Sequence, residues 1–159
     1  MSSRDRDPEL PLDPDSPADR PLHLRGSAAV LVLIGGMVGT LSRYGLTELW
    51  PSGTGRWPWG TFAANVAGSL VLGTLLEALA RTGPDAGRRR QLRLLAGTGF
   101  CGGLTTYSTF AVEVDLLVRS HDAALAILYG VVSLLLGGLA VWAGIVAAAR
   151  WPTRAAAIG

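Results

Sequence analysis

The sequence predicts an all-α integral membrane protein with four transmembrane helices, the third of them broken. Of its 159 residues 49% are hydrophobic and 16% charged, and the mean hydropathy is positive, a balance too apolar and too unevenly patterned for an ordinary soluble domain. The apolar residues gather into four stretches, roughly 28–49, 60–80, 92–118 and 123–149. Each is long enough to cross a hydrocarbon core of about 30 Å. Within the third, GFCGGLTTYSTF at Gly99 to Phe110 crowds glycines, hydroxyls and two aromatic rings into an apolar run. Backbone that leaves the helix at membrane depth survives only against protein, water or an ion, so this break marks a candidate site.

Ahead of the first span, residues 1–27 are rich in Asp, Pro, Ser and Arg. Apolar residues there are too sparse to offset the entropy of ordering, which predicts a disordered tail. The apolar run that follows is too long for the core of a signal peptide. The membrane domain is expected over residues 28–149, with a short C-terminal tail at 150–159.

The first span carries Gly35, Gly36 and Gly39, and the spacing of Gly35 and Gly39 allows close approach of two membrane helices. Further along, Thr40, Arg43, Tyr44 and Thr47 share one face. An arginine there either snorkels to the interface or lines a polar vestibule or hydrogen-bonds structurally. In the second span Thr61, Asn65 and Ser69 recur every four residues and form a polar stripe, with Gly73 beyond. The Asn65 amide can donate to an anion that has lost water, or it can bridge two helices.

In the third span Thr105, Thr106, Ser108 and Thr109 lie between Gly102, Gly103 and Phe110. That density of glycine and hydroxyl residues disfavours a straight helix and frees carbonyls for a hard cation. Tyr107 and Phe110, three apart, offer electropositive ring edges or simple packing. In the fourth span Tyr129 and Ser133 share a face with Gly137, as a polar track or as ordinary interface residues.

All basic side chains are arginines apart from His23 and His121, which read as solvated. With four spans, Arg20, Arg25, Arg81, Arg88, Arg89, Arg90, Arg93, Arg150 and Arg154 fall on one side, against Arg43, Arg56 and Arg119 on the other. The positive-inside rule then places both termini and the second loop in the cytoplasm, in a multi-pass protein of the inner (plasma) membrane. Arg88 to Arg90 read first as a topology anchor with anionic lipid nearby, and otherwise as a regulatory or nucleic-acid contact. Acidic and basic residues nearly cancel in the N-terminal tail, which argues against a nucleic-acid arm. Lone Cys101 cannot form an internal disulfide, and no zinc spacing is present. Glu48, Glu77, Glu113 and Asp115 are expected towards the ends of spans, which argues against a carboxylate-driven pump. Without a Walker loop, nucleophile elbow, HExxH or paired carboxylates, enzyme chemistry has no starting point.

The motifs GGMVGTLSRY (Gly35 to Tyr44), WGTFAANVAGS (Trp59 to Ser69) and GFCGGLTTYSTF, in that order and with onward spacing to Tyr129 and Ser133, resemble those of the CrcB/Fluc fluoride channels. The resemblance covers about residues 28–149. It implies an antiparallel, dual-topology dimer with two fluoride pores and a central structural sodium ion that is not transported. The sodium would be held by backbone carbonyls of Gly102 and Thr105. The pore positions implied are Asn65, Tyr107, Ser108, Phe110, Tyr129 and Ser133. Two departures stand out: Tyr107 where phenylalanine is usual, and Gly137 where a hydroxyl is common. The role implied is passive fluoride export and detoxification. Because the arginine bias favours one orientation, the partner is expected to be either the same chain or a similar subunit of opposite bias. The alternatives are a small dual-topology multidrug transporter, which would need a central carboxylate, and a non-conducting membrane subunit.

Overall fold

The computed structural model describes residues 26–53 and 55–150. Residues 1–25 and 151–159 of the expected tails, with Arg20, His23, Arg25 and Arg154, therefore lie outside the described residues. Those described are helical apart from short connections, with no strand among them: α1 (Gly26–Leu49), α2 (Trp59–Thr82), α3 (Gly87–Leu92), a π-helical stretch (Arg93–Cys101), α4 (Gly102–Leu104), α5 (Tyr107–Arg119) and α6 (Ala123–Ala149). Helices α1, α2 and α6 are each long and apolar enough to cross a membrane. The segment between α2 and α6 is instead assembled from pieces.

Helix ends follow local chemistry. Pro58 precedes α2, where a missing N–H costs nothing. Asp122 caps α6 by accepting from the Leu125 N–H at 3.1 Å. Between α5 and α6 the chain reverses through His121 at φ 63°. There the N–H groups of His121 and Asp122 bond the carbonyls of Val118 (3.1 Å) and Leu117 (3.2 Å), a Schellman closure with histidine where glycine is usual. His121 is exposed, as expected for a loop residue. Helix α1 begins at Gly26, so Gly26 and Ser27 belong to the helix rather than to the expected tail.

Two seams organise the molecule. Along α1, Gly35 and Gly39 lie against the backbone of the π-helical stretch and α4, and Gly99 and Gly103 reciprocate against Val32 and Gly36. A Cβ at any of these four would overlap a facing carbonyl oxygen. The contact depends on having no side chain, as expected where lipid supplies no hydrophobic drive between helices. Along the other seam, α2 packs on α6, with Gly73 against Val141 and Gly144 against Leu70 and Thr74. Large apolar side chains such as Leu33, Leu41, Leu134 and Trp142 point outward. That is the arrangement of a protein solvated by lipid.

The break is narrower than the sequence suggests. Gly99 is π-helical and Gly102 α-helical, whereas only Thr105 (φ −81°, ψ 151°) and Thr106 (φ −149°, ψ 127°) are extended. Gly99 and Gly103 serve the close approach to α1, whereas Gly102 faces open space. The two threonines make the turn.

Candidate functional site

At the break, Asn65 on α2 substitutes for the interrupted helix. Its Oδ1 accepts the Thr106 N–H at 2.7 Å and its Nδ2 donates to the Thr106 carbonyl at 3.1 Å. Of the two readings of Asn65, bridging between helices is realised directly. One N–H of its amide is left over for another acceptor. The Thr106 hydroxyl accepts from the Thr109 N–H at 3.2 Å and caps α5. These two bonds have a consequence for the carbonyls. In a continuous helix Thr106 N–H would bond the Gly102 carbonyl, and Thr109 N–H would bond that of Thr105. Both donors are diverted, so both carbonyls lose their helical partners.

Beside the break runs a groove of about 410 Å³ between α2, α5 and α6, whose walls include Asn65, Ser69, Tyr107, Phe110, Ser133 and Gly137. The Ser133 hydroxyl is buried and has no hydrogen-bond partner among the described residues. A buried polar group without a partner is costly unless a water or ligand completes it. Tyr107 is 80% exposed, with its ring centroid 6.1 Å from that of Phe110. The groove therefore has one wall made within this chain and an aromatic edge facing outward.

Behind Phe110 lies a second polar cluster. The Phe110 ring stands 5.2 Å from that of Tyr129, which is fully buried and donates to Glu113 Oε2 at 2.8 Å. Glu113 Oε1 accepts from Thr61 at 2.7 Å and from Ser52 at 3.1 Å. Trp57 packs edge-on to Tyr129, with centroids 5.2 Å apart. A smaller pocket of about 260 Å³, with Ser52, Arg56 and Glu113 in its walls, opens beside this cluster.

The residues expected to form one polar path are thus divided. Asn65, Tyr107, Phe110 and Ser133 share the groove. Ser108 is exposed outside it, 3.2 Å from the Thr106 hydroxyl at the α5 cap. Tyr129 is held by Glu113 on the far side of Phe110. Arg43 is half-buried on α1 and is not part of the groove wall. Sequence reasoning missed Glu113. Expected towards the end of a span and given no role there, it is buried within α5 at 7% exposure and anchors this cluster. Its spacing carried a signal, because Phe110, Glu113 and Leu117 follow three- and four-residue steps that put the carboxyl on the buried face. The Thr61 to Ser69 stripe is divided as well: Thr61 serves Glu113, Asn65 serves the break and Ser69 lines the groove.

A helical bundle with an outward-facing apolar surface, a helix broken at depth and a donor-lined groove beside the break defines a multi-pass membrane protein of the transport class. Residues 30–145 match the family described as CrcB-like protein, Camphor Resistance (CrcB), and the chain belongs to that family. It is 46% identical over 125 residues to the fluoride-specific ion channel FluC 2 of Leifsonia xyli subsp. xyli, covering 79% of this chain and 86% of the relative. It is also 46% identical over 120 residues to FluC 1 of Cutibacterium acnes, covering 76% and 83% respectively. With FluC 1 of Mycobacterium bovis the identity is 43% over 110 residues, covering 69% and 81%.

Proposed function

We propose that this chain is a subunit of a fluoride channel, and that it passes fluoride through the groove beside the Thr105–Thr106 break. The observation that carries this reading is the Ser133 hydroxyl, buried on the groove without a partner among the described residues. The spare Asn65 N–H and the rings of Tyr107 and Phe110 lie on the same groove. A small anion holds water tightly, so a narrow path must return hydrogen bonds as water is stripped, and must do so without trapping the ion. Ser133 and Asn65 supply donors, and the ring edges supply a weakly positive, weakly binding surface. No energy coupling is needed. An inside-negative potential of about 100 mV favours export of a monovalent anion by roughly 2.3 kcal/mol, which is passive detoxification rather than enzyme chemistry.

The pieces from α3 to α5 form a fourth span in this reading, and the exposed Tyr107 edge is completed by a second subunit in antiparallel orientation. The arginine bias makes a related chain of opposite bias the preferred partner and puts the termini and the second loop in the cytoplasm. Gly102 and Thr105, whose carbonyls have lost their helical donors, fit a hard cation such as sodium at the dimer axis. When bound, the ion would satisfy carbonyls that have lost their helical donors and stiffen the break. Asn65 and Thr106 hold that backbone in place.

The test is efflux from proteoliposomes containing this chain alone and this chain with a related subunit, each with and without sodium. Uncoupled fluoride efflux without chloride efflux, in either preparation, is expected. Buried Glu113 is the one feature that favours a proton-coupled transporter instead. Proton-coupled cation exchange in that assay would overturn the channel reading.

A further inference from the structure

At the opposite end of α2 from the Glu113 cluster, the connection to α3 forms a basic pocket that the conduction path does not use. Leu76, Leu79 and Ala80 from the last turns of α2 form its apolar floor, and Asp85, Arg89 and Arg93 form its polar rim. Asp85 faces this pocket but is already engaged. Its carboxyl accepts from Arg93 Nε at 3.1 Å and Nη2 at 2.6 Å, and the hydrogen bond from that guanidinium holds it below the usual carboxylate range. The Asp85 backbone carbonyl accepts from Arg90 Nε at 3.0 Å and Nη2 at 2.9 Å. Arg81 pairs with Glu77 at 2.7 Å. Arg88 and Arg89 have no carboxylate partner among the described residues. Arg89 is half-buried and folds back over the loop, its guanidinium filling the space that a side chain on Gly83 would need.

We infer that this pocket binds an anionic phospholipid, with the phosphate at Arg89 on the rim, the adjacent exposed Arg88 adding charge from outside the pocket wall, and an acyl chain along Leu76, Leu79 and Ala80. Charge complementarity identifies the headgroup. From Glu77 to Arg93 the arginines at 81, 88, 89, 90 and 93 outnumber the carboxylates at 77 and 85. Basic residues at a membrane interface attract anionic lipid over zwitterionic lipid. The floor identifies a lipid rather than a free anion, because Leu76 and Ala80 are exposed on the same surface of α2 that the bilayer bathes. A soluble phosphate would gain nothing from them. The inference rests on the chain spanning a membrane and is independent of the ion it conducts.

The experiment is native mass spectrometry of the purified full chain in detergent with added phosphatidylglycerol, phosphatidylcholine or inorganic phosphate. Phosphatidylglycerol is expected to be retained about tenfold more tightly than phosphatidylcholine, with negligible phosphate retention. The double substitution R88Q/R89Q should remove that preference. Arg119→Gln, on the exposed ion pair at the far end of α5, should preserve it. Ala80→Trp, at an exposed position, should weaken phosphatidylglycerol retention by crowding the floor. Equal retention of the two lipids by the unsubstituted chain, or an unchanged preference in R88Q/R89Q, would overturn the inference. Phosphate retention matching that of phosphatidylglycerol would replace it with a soluble-anion site.

Discussion

Two polar clusters lie on either side of the Phe110 ring, and they are built on opposite principles. Behind the ring both Glu113 oxygens are engaged, by Ser52 and Thr61 on one and Tyr129 on the other, and the group left over among the described residues is the Trp57 indole N–H packed against Tyr129. In front of the ring, the groove holds a buried hydroxyl, that of Ser133, with no partner among the described residues. A closed network in a low-dielectric interior is rigid because breaking any bond strands a buried group. An open one carries its unmet hydrogen bonds as a capacity to bind. The comparison shows how a short membrane protein keeps a reactive wall in place: the Glu113 cluster fixes Tyr129, Tyr129 supports Phe110, and Phe110 forms the wall.

The strongest way to break this contrast is to open the closed cluster. Glu113→Leu would strand the hydroxyls of Thr61 and Tyr129 in an apolar setting, and each buried hydroxyl left unsatisfied costs about 1–3 kcal/mol. The expected result is a loss on the order of 3 kcal/mol or more in stability, read as a large drop in the thermal unfolding midpoint in detergent. A variant as stable as the parent would mean that the cluster does not hold the wall. Next in size is Asn65→Ala, which removes both hydrogen bonds on the Thr106 backbone. A loss of about 1–3 kcal/mol is expected from the unsatisfied N–H and carbonyl. If the break matters to conduction, fluoride efflux should fall together with stability.

How much of this was legible beforehand follows from the kinds of signal involved. Long apolar runs and the Gly35–Gly39 spacing depend on local periodicity, and they foretold α1, α2 and α6 closely, including the close approach at those glycines. The position of the break was legible, but its width was not. Glycine was read there as freedom of the backbone, whereas Gly99 and Gly103 are helical and serve contact with Val32 and Gly36 across the seam. That distinction depends on a partner helix more than sixty residues away. The sequence leaves Asn65 between two roles for the same reason, since its acceptor and donor both belong to Thr106. The burial of Glu113 is not legible from the apolar run, because the groups that close over it, Ser52, Thr61 and Tyr129, come from other elements. The run of α5 is offset by the Thr105–Thr106 break, and its buried face includes the carboxyl.

Ser133→Ala tests the open side of the comparison, and its sign separates the two clusters. Removing a buried hydroxyl that has no partner among the described residues deletes nothing from the fold, so stability should stay within about 0.5 kcal/mol of the parent or rise slightly. Fluoride efflux should nevertheless fall by about tenfold, because a donor on the path is gone. A parallel loss of stability would mean that Ser133 has a structural partner and that the groove is not open.

Tyr107→Phe is expected to have the smallest effect and bears on the same wall from its outer edge. The tyrosine ring is 80% exposed, so its hydroxyl supports no packing within the chain, and removing it should leave the unfolding midpoint within about 0.5 kcal/mol equivalent. The ring and its electropositive edge remain, and with them the weakly binding surface beside Phe110. Efflux should therefore persist and shift by no more than a few-fold, with the shift reporting how far the extra donor slows or steadies the anion. Tyr107→Ala removes the edge itself and should cost far more conduction than Tyr107→Phe at similar stability. Equal losses in the two variants would assign the function of this residue to its hydroxyl, and the groove would then be a wall of donors with the rings as packing.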